Sequence, residues 1–225
     1  MEINADFGTR VLLDASRLPW TPSPTAGVER RMLDRLGGEV ARATSIVRYA
    51  AGSAFPRHVH GGGEEFLVLD GVFSDESGDM PIGSYVRNPP GTAHAPRSDA
   101  GCVIFVKLWQ FDASDDRPVR MQTDGLVLEA DPDRALVKAA TLREGVFERV
   151  RIEHWAPGAV VAVELPGGGE FLVLEGAFEE AGDQITPMSW LRLPANSRLS
   201  AKAGPQGCRL WIKTNHLAAK GFRPI

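Results

Sequence analysis

The sequence predicts an all-β chain made of two copies of one antiparallel barrel or sandwich, and three observations carry that expectation. Short Val/Ile/Leu/Phe runs alternate with turn residues, 24 of the 225 positions being glycine and 16 proline, a pattern of many short strands joined by turns. The longest apolar runs have strand length. The third observation is repetition: GGEEFLVLDGVF at 62–73 returns as GGGEFLVLEGAF at 167–178, a shift of 105 from Phe66 to Phe171.

Three more blocks hold that register within one residue. Ser84–Arg87 matches Ser189–Arg192 at the same shift, while Gly101–Lys107 matches Gly207–Lys213 and Tyr49–Gly52 matches Trp155–Gly158 at 106. A unit this long is a domain, since solenoid repeats run about 20–50 residues. The polar, strand-poor stretch FDASDDRPVRMQTDG at 111–125 separates the copies. The expected domains are residues 1–115 and 116–225.

Taken in order, the first copy offers strands at Thr44–Tyr49, Glu65–Phe73, Gly83–Arg87 and Cys102–Leu108, the spacing of an antiparallel sandwich or barrel. Val28–Leu36 is read as a strand, although Val28, Met32, Leu33 and Leu36 would also make a helical stripe. The acidic tract 112–116 reads as a solvated linker.

Composition excludes several classes. Hydrophobic residues make up 43% and charged residues 24%, enough to bury a core, so disorder and a stapled mini-protein are excluded. With 25 basic against 29 acidic residues and no basic cluster, nucleic acid is not an expected partner. No run spans a membrane, and MEINADFGTRVLLDA does not read as a secretory signal. Cys102 and Cys208 lie far apart with no CxxC, so a reduced cytoplasm is the expected compartment.

Three of the five histidines fall in two segments of the first copy. His58 and His60 are two apart, so on a strand they share a face. Gly61-Gly62-Gly63 then turns the chain and returns a carboxylate, Glu64 or Glu65, towards the imidazoles. Pro89-Pro90-Gly91 makes a second turn that delivers His94 from another strand. Three imidazoles and one carboxylate form a mixed N/O site for one divalent transition metal, with positions left for water or a small-molecule ligand.

These segments resemble the paired motifs of the cupin superfamily, G(X)5HXH(X)3,4E(X)6G and G(X)5PXG(X)2H(X)3N. Gly52, His58, His60, Glu64 and Gly71 fill the first; Gly83, Pro89, Gly91 and His94 fill the second, with Ser98 in place of the final asparagine. The wording around them is most similar to the ChrR-type cupins, named for an anti-sigma factor. The resemblance implies two tandem cupin (jelly-roll, double-stranded β-helix) barrels and the ligand set His58, His60, Glu64 and His94. It selects Glu64 over Glu65 by spacing, which puts Glu65 on the opposite face of its strand. It also implies zinc or iron as the metal, with nickel or manganese as alternatives, and pairing into homodimers through sheet edges.

The second copy has Val163-Glu164-Leu165-Pro166 around the His-x-His place, Gly169 at that of Glu64 and Leu199 at that of His94. It is read as a metal-free barrel filled by apolar side chains, with no polar constellation for a ligand. The matched Cys102 and Cys208 read as buried structural thiols. His154 and His216 read as strand-end or surface residues, and Arg87 and Arg192 as salt-bridge partners.

Two functional classes follow. One is a ChrR-like sensor of a small molecule or of oxidative stress. Direct sigma-factor binding by that family's route is not expected, since its helical half with a separate His/Cys zinc site has no counterpart in the sequence. The other is an Fe(II)-dependent dioxygenase acting on a small diketone or hydroxyketone, as in some stand-alone cupins related to that group. No catalytic acid or base is assigned.

Overall fold

The computed structural model describes residues 1–38, 40–112 and 114–217. Among them lie strands, turns and one short 3-10 turn, Ala15–Arg17, with no α-helix. No helix is long and apolar enough to cross a membrane. The described residues form two compact units: Met1–Ala5 with Leu18–Gly125, and Asp6–Arg17 with the described residues from Leu126 on.

In the first unit the main antiparallel sheet runs in the spatial order Glu2–Ile3, Val28–Gly37, Ala41–Tyr49, Cys102–Leu108, Glu64–Asp75, Ser84–Asn88 and Val119–Gln122. The second unit repeats it as Glu129–Ala130, Val137–Glu144, Arg149–Trp155, Ser197–Thr214, Gly169–Glu180, Ser189–Leu193 and Val11–Asp14. Cys102–Leu108 lies between two strands that precede it by dozens of residues, the long-range crossover of a jelly roll rather than a meander. Both units are all-β jelly-roll barrels, and the sequence repeat is a repeat of fold.

Alternation along the strands places the core. In the first unit Phe66, Val68, Phe73, Val86, Ile104 and Val106 are buried together; in the second Trp155, Phe171, Val173, Phe178, Leu191 and Leu210 do the same. Each such side chain contributes roughly 1.5–3 kcal/mol by leaving water. Gly71 and Gly176 lie at matched positions beside bulges, with φ of 68° and 69°. A Cβ there would lie 2.1 and 2.0 Å from the carbonyl oxygens of Gly101 and Gly207, so only glycine lets the strands close.

The segment expected to be strand-poor contains a strand. Val119–Gln122 pairs with Ser84–Asn88, Gln122 opposite Ser84, and Val11–Asp14 pairs with Ser189–Leu193, Asp14 opposite Ser189. These are matched edge positions, each filled by the segment leading into the other repeat. A cut at 115/116 follows the repeat in the sequence; the compact units follow strand pairing and differ from it in residues 6–17 and 116–125.

The sheet face away from each core carries buried charge. Glu65 lies between Arg87 and Lys107 in register, and Glu170 lies between Arg192 and Lys213. Burial without pairing is prohibitive for such groups, and all are paired. Arg87 contacts Glu65 at 3.1 Å, Tyr85 donates its hydroxyl to Glu65, and Lys107 donates to Thr44 Oγ1 at 2.9 Å. Arg87 also donates to Asp115 at 2.7 Å. Asp115 is therefore buried, contrary to the solvated-linker expectation, because the guanidinium beneath it needs a second anion. His216 is likewise buried rather than superficial, 2.9 Å from Glu170, whereas His154 is exposed. Arg87 stacks under Phe111 at 4.2 Å and Arg192 under Phe7 at 4.4 Å.

Cys102 and Cys208 are buried free thiols. Burial pushes both up, and with the nearby Glu153 carboxylate it takes Cys208 up to about 12.

Candidate metal centre

The four residues expected as ligands come together in the first barrel. His58 opens the short strand His58–Val59, which pairs with Ala93–His94 so that His58 faces His94 directly. His60 follows, its amide donating to Thr92 O and its carbonyl accepting from Gly91 N, both at 2.8 Å. Backbone bonds thus fasten the first histidine segment to the Pro-Pro-Gly turn that carries the third. The chain reverses through Gly63 (φ 79°), where a Cβ would lie 2.4 Å from the Phe111 ring, and enters the strand Glu64–Asp75.

The imidazole centroids lie 4.6–5.2 Å apart. One ligand atom from each of His58, His60, Glu64 and His94 falls within 4.8 Å of all the others. Glu64 Oε2 is 3.3 Å from His60 Nε2 and 3.4 Å from His94 Nε2. His60, Glu64 and His94 are buried and His58 is half-buried. Phe73 packs 5.9 Å from His94.

A second ring of contacts decides which nitrogens face inward. His58 Nδ1 lies 3.0 Å from Pro56 O, an acceptor only, so Nδ1 carries the proton. His60 Nδ1 lies 3.0 Å from Thr92 Oγ1, whose own hydrogen goes to Pro89 O, so Nδ1 is again the donor. His94 Nδ1 lies 3.2 Å from Asp75 Oδ2. Each outer partner fixes a tautomer with a lone pair on Nε2. Burial, ahead of the other nearby charges, lowers His60 below the ordinary histidine value, which favours its neutral form.

The centre therefore presents three Nε2 lone pairs and a carboxylate. The Nε2 atoms of His60 and His94 are buried with no hydrogen-bond partner among the described residues. Asn88 Nδ2 donates to Glu64 at 3.0 Å, holding the carboxylate in place. A cluster of acceptors with no shared proton is satisfied by a cation, and three nitrogens with one oxygen suit a divalent transition metal. The residues fit such an ion.

Glu65, the rejected alternative, points to the opposite face, where Arg87 and Tyr85 hold it. Asp75, Thr92 and Pro56 escaped sequence reasoning. Asp75 is 19 residues from His94, and only the pairing of strands brings them together. Against the cost of burial, the Ser77 hydroxyl and amide and the His94 contact hold Asp75 below the usual carboxylate range.

In the second barrel Leu165 and Leu199, at the places of His60 and His94, pack into the apolar core. The expectation of no polar constellation there is corrected by a charged cluster. Arg134 donates to Asp131 at 2.6 Å and to Glu153 at 2.7 Å, and Arg151 reaches the same two carboxylates at 3.0 and 3.2 Å. Arg134 first, then Arg151 working against burial, holds Asp131 well below the usual range. The arginines come from positions that no motif marks.

The family of ChrR cupin-like domains matches residues 8–112. No curated protein matches the sequence at a significant level. Among solved structures, a protein of Nostoc punctiforme with a provisional dioxygenase assignment superposes with a TM-score of 0.79 at 15% identity, covering 97% of this chain and 88% of its own. The formate complex of Lactobacillus farciminis oxalate decarboxylase gives 0.63 at 11% identity, covering 96% and 89%. A bacterial pirin from Escherichia coli in complex with nickel(II) gives 0.61 at 14%, covering 96% and 100%. At these identities the structural likeness shows the fold alone.

Proposed function

We propose that this chain, a ChrR-like member of the cupin superfamily, holds one divalent transition metal through His58, His60, Glu64 and His94 and uses it to sense a small molecule or oxidative stress. The observation that carries the reading is the set of pinned imidazoles: three Nδ1 atoms engaged outward leave three Nε2 atoms converging on one carboxylate. A bound divalent ion supplies Lewis acidity and, if it is iron, one-electron chemistry.

The chain's own residues do the rest. His58 is the half-buried member, so a small ligand reaches the centre from its side. Asp75, Thr92 and Asn88 are each committed to holding a ligand residue, which fits a binding centre better than one with a free acid or base. A second reading, an Fe(II)-dependent dioxygenase of a small diketone or hydroxyketone, draws support from the likeness to the Nostoc punctiforme protein over nearly the whole chain.

Elemental analysis of protein purified without added metal, paired with oxygen uptake on pentane-2,4-dione and related hydroxyketones, separates the two. The sensing reading expects one metal equivalent and no metal-dependent oxygen consumption. Steady, iron-dependent uptake overturns it in favour of the enzyme, and absence of bound metal from a folded, metal-supplemented sample overturns both.

A further inference from the structure

The second unit carries an open pocket of about 340 Å³, lined by both charged and apolar side chains, within the size range of small-molecule sites. Strand pairing builds it. Arg149 stands opposite Thr214 and Arg151 opposite Ile212, which in turn faces Phe171. Side chains two apart on a strand share a face, so both guanidinium groups overlook a floor of Ile212 and Phe171.

Asp131 and Glu153 offset the charges of Arg134 and Arg151. Hydrogen-bond donors are left over. The Nε of Arg151 is buried with no partner among the described residues. Arg149 pairs with Glu144 through Nε, and both Arg149 and Thr214 line the cavity. Of the other lining carboxylates, Glu164 pairs with Arg198 at 3.3 Å and Asp133 is exposed. The first barrel has Ala43 and Ser45 where the second has Arg149 and Arg151, in the same pairing register, so these donors are not part of the common barrel architecture.

We propose that this cavity is a second ligand site, for a small organic carboxylate with an apolar tail, its carboxylate held by Arg149, Arg151 and Thr214 and its tail lying on Phe171 and Ile212. Guanidinium groups match a carboxylate in shape as well as charge, and the apolar floor distinguishes such a ligand from a bare inorganic anion. The site stands independently of the metal centre.

The test is titration of the full chain, stripped of metal by chelation, with hexanoate and with its uncharged analogue hexanamide. Binding is followed by calorimetry and by the NMR signals of the arginine Nε–H groups. Hexanoate is expected to bind one site about tenfold tighter than hexanamide, the scale of a charge-assisted bond, and to shift the Arg151 Nε–H. Arg149→Gln removes a half-exposed side chain and is expected to weaken hexanoate about tenfold without changing hexanamide. Equal binding of the two probes, no binding of either, or a full-strength hexanoate site in Arg149→Gln overturns the proposal. So does hexanoate binding that needs added metal and is lost in His94→Ala, which would place the carboxylate in the first barrel.

Discussion

Replacing Asp75 by asparagine tests the tautomer argument on which the metal centre rests, without touching a ligand. Asp75 Oδ1 accepts from the Ser77 amide at 2.8 Å and from the Ser77 hydroxyl, while Oδ2 accepts from His94 Nδ1 at 3.2 Å. An amide cannot serve both sides. If its oxygen stays with Ser77, its NH2 faces His94 Nδ1, which must then accept, and the imidazole proton moves to Nε2, the atom aimed at Glu64. If its oxygen turns to His94, the NH2 meets the Ser77 N–H instead and the turn loses its acceptor. Outer partners of metal-binding histidines are typically worth about 10–100-fold in affinity, or about 1.4–2.7 kcal/mol. Competition with a chromophoric chelator for zinc or cobalt measures the loss, and the melting temperature of the metal-free variant shows how much comes from the turn. Unchanged affinity in Asp75→Asn would refute the claim that Asp75 sets the His94 tautomer.

Further expectations divide ligand from scaffold. Glu64→Gln should weaken metal binding greatly with little change in the metal-free melting temperature. Glu65→Gln should leave metal stoichiometry intact but cost about 3–5 kcal/mol of stability, because it strips a partner from a buried charge; denaturant unfolding and metal titration of both variants would expose a swap of roles. Asp131 has a depressed folded value, so its contribution is complete above the unfolded carboxylate value near ~3.9 and fades as pH falls below it. The stability gap between wild type and Asp131→Asn should accordingly shrink below about pH 4; a gap that widens there contradicts the assigned pairing. A fragment of residues 18–125, which retains Val119–Gln122 at the sheet edge, should fold more stably than one of residues 1–115, as judged by circular dichroism on heating, and the opposite order would deny the edge strand its role.

Much of this was legible in the sequence because it is local. The spacing of His58, His60 and Glu64 is set within one turn, and the repeat of GGEEFLVLDGVF announces two barrels before any strand is paired. Strand alternation correctly sends Glu65 away from the site. What stayed hidden depends on pairing across distance. Val119–Gln122 is too short to show a period and is recognisable as a strand only beside Ser84–Asn88. Asp115 and His216 look like surface residues until Arg87 and Glu170 lie next to them. Arg149 and Arg151 alternate with Val150 and Ile152 as they would on any half-exposed strand. Only the opposing Ile212 and Thr214 place them over a cavity.

Anomalous diffraction from crystals of the metal-loaded full chain, recorded at the absorption edges of the candidate metals, bears most directly on the central claim. A single peak in the first barrel, about 2.0–2.2 Å from the Nε2 atoms of His58, His60 and His94 and from a Glu64 oxygen, is the predicted outcome. Imidazoles turned outward to water, or ordered density for all four side chains with no ion among them, would contradict it.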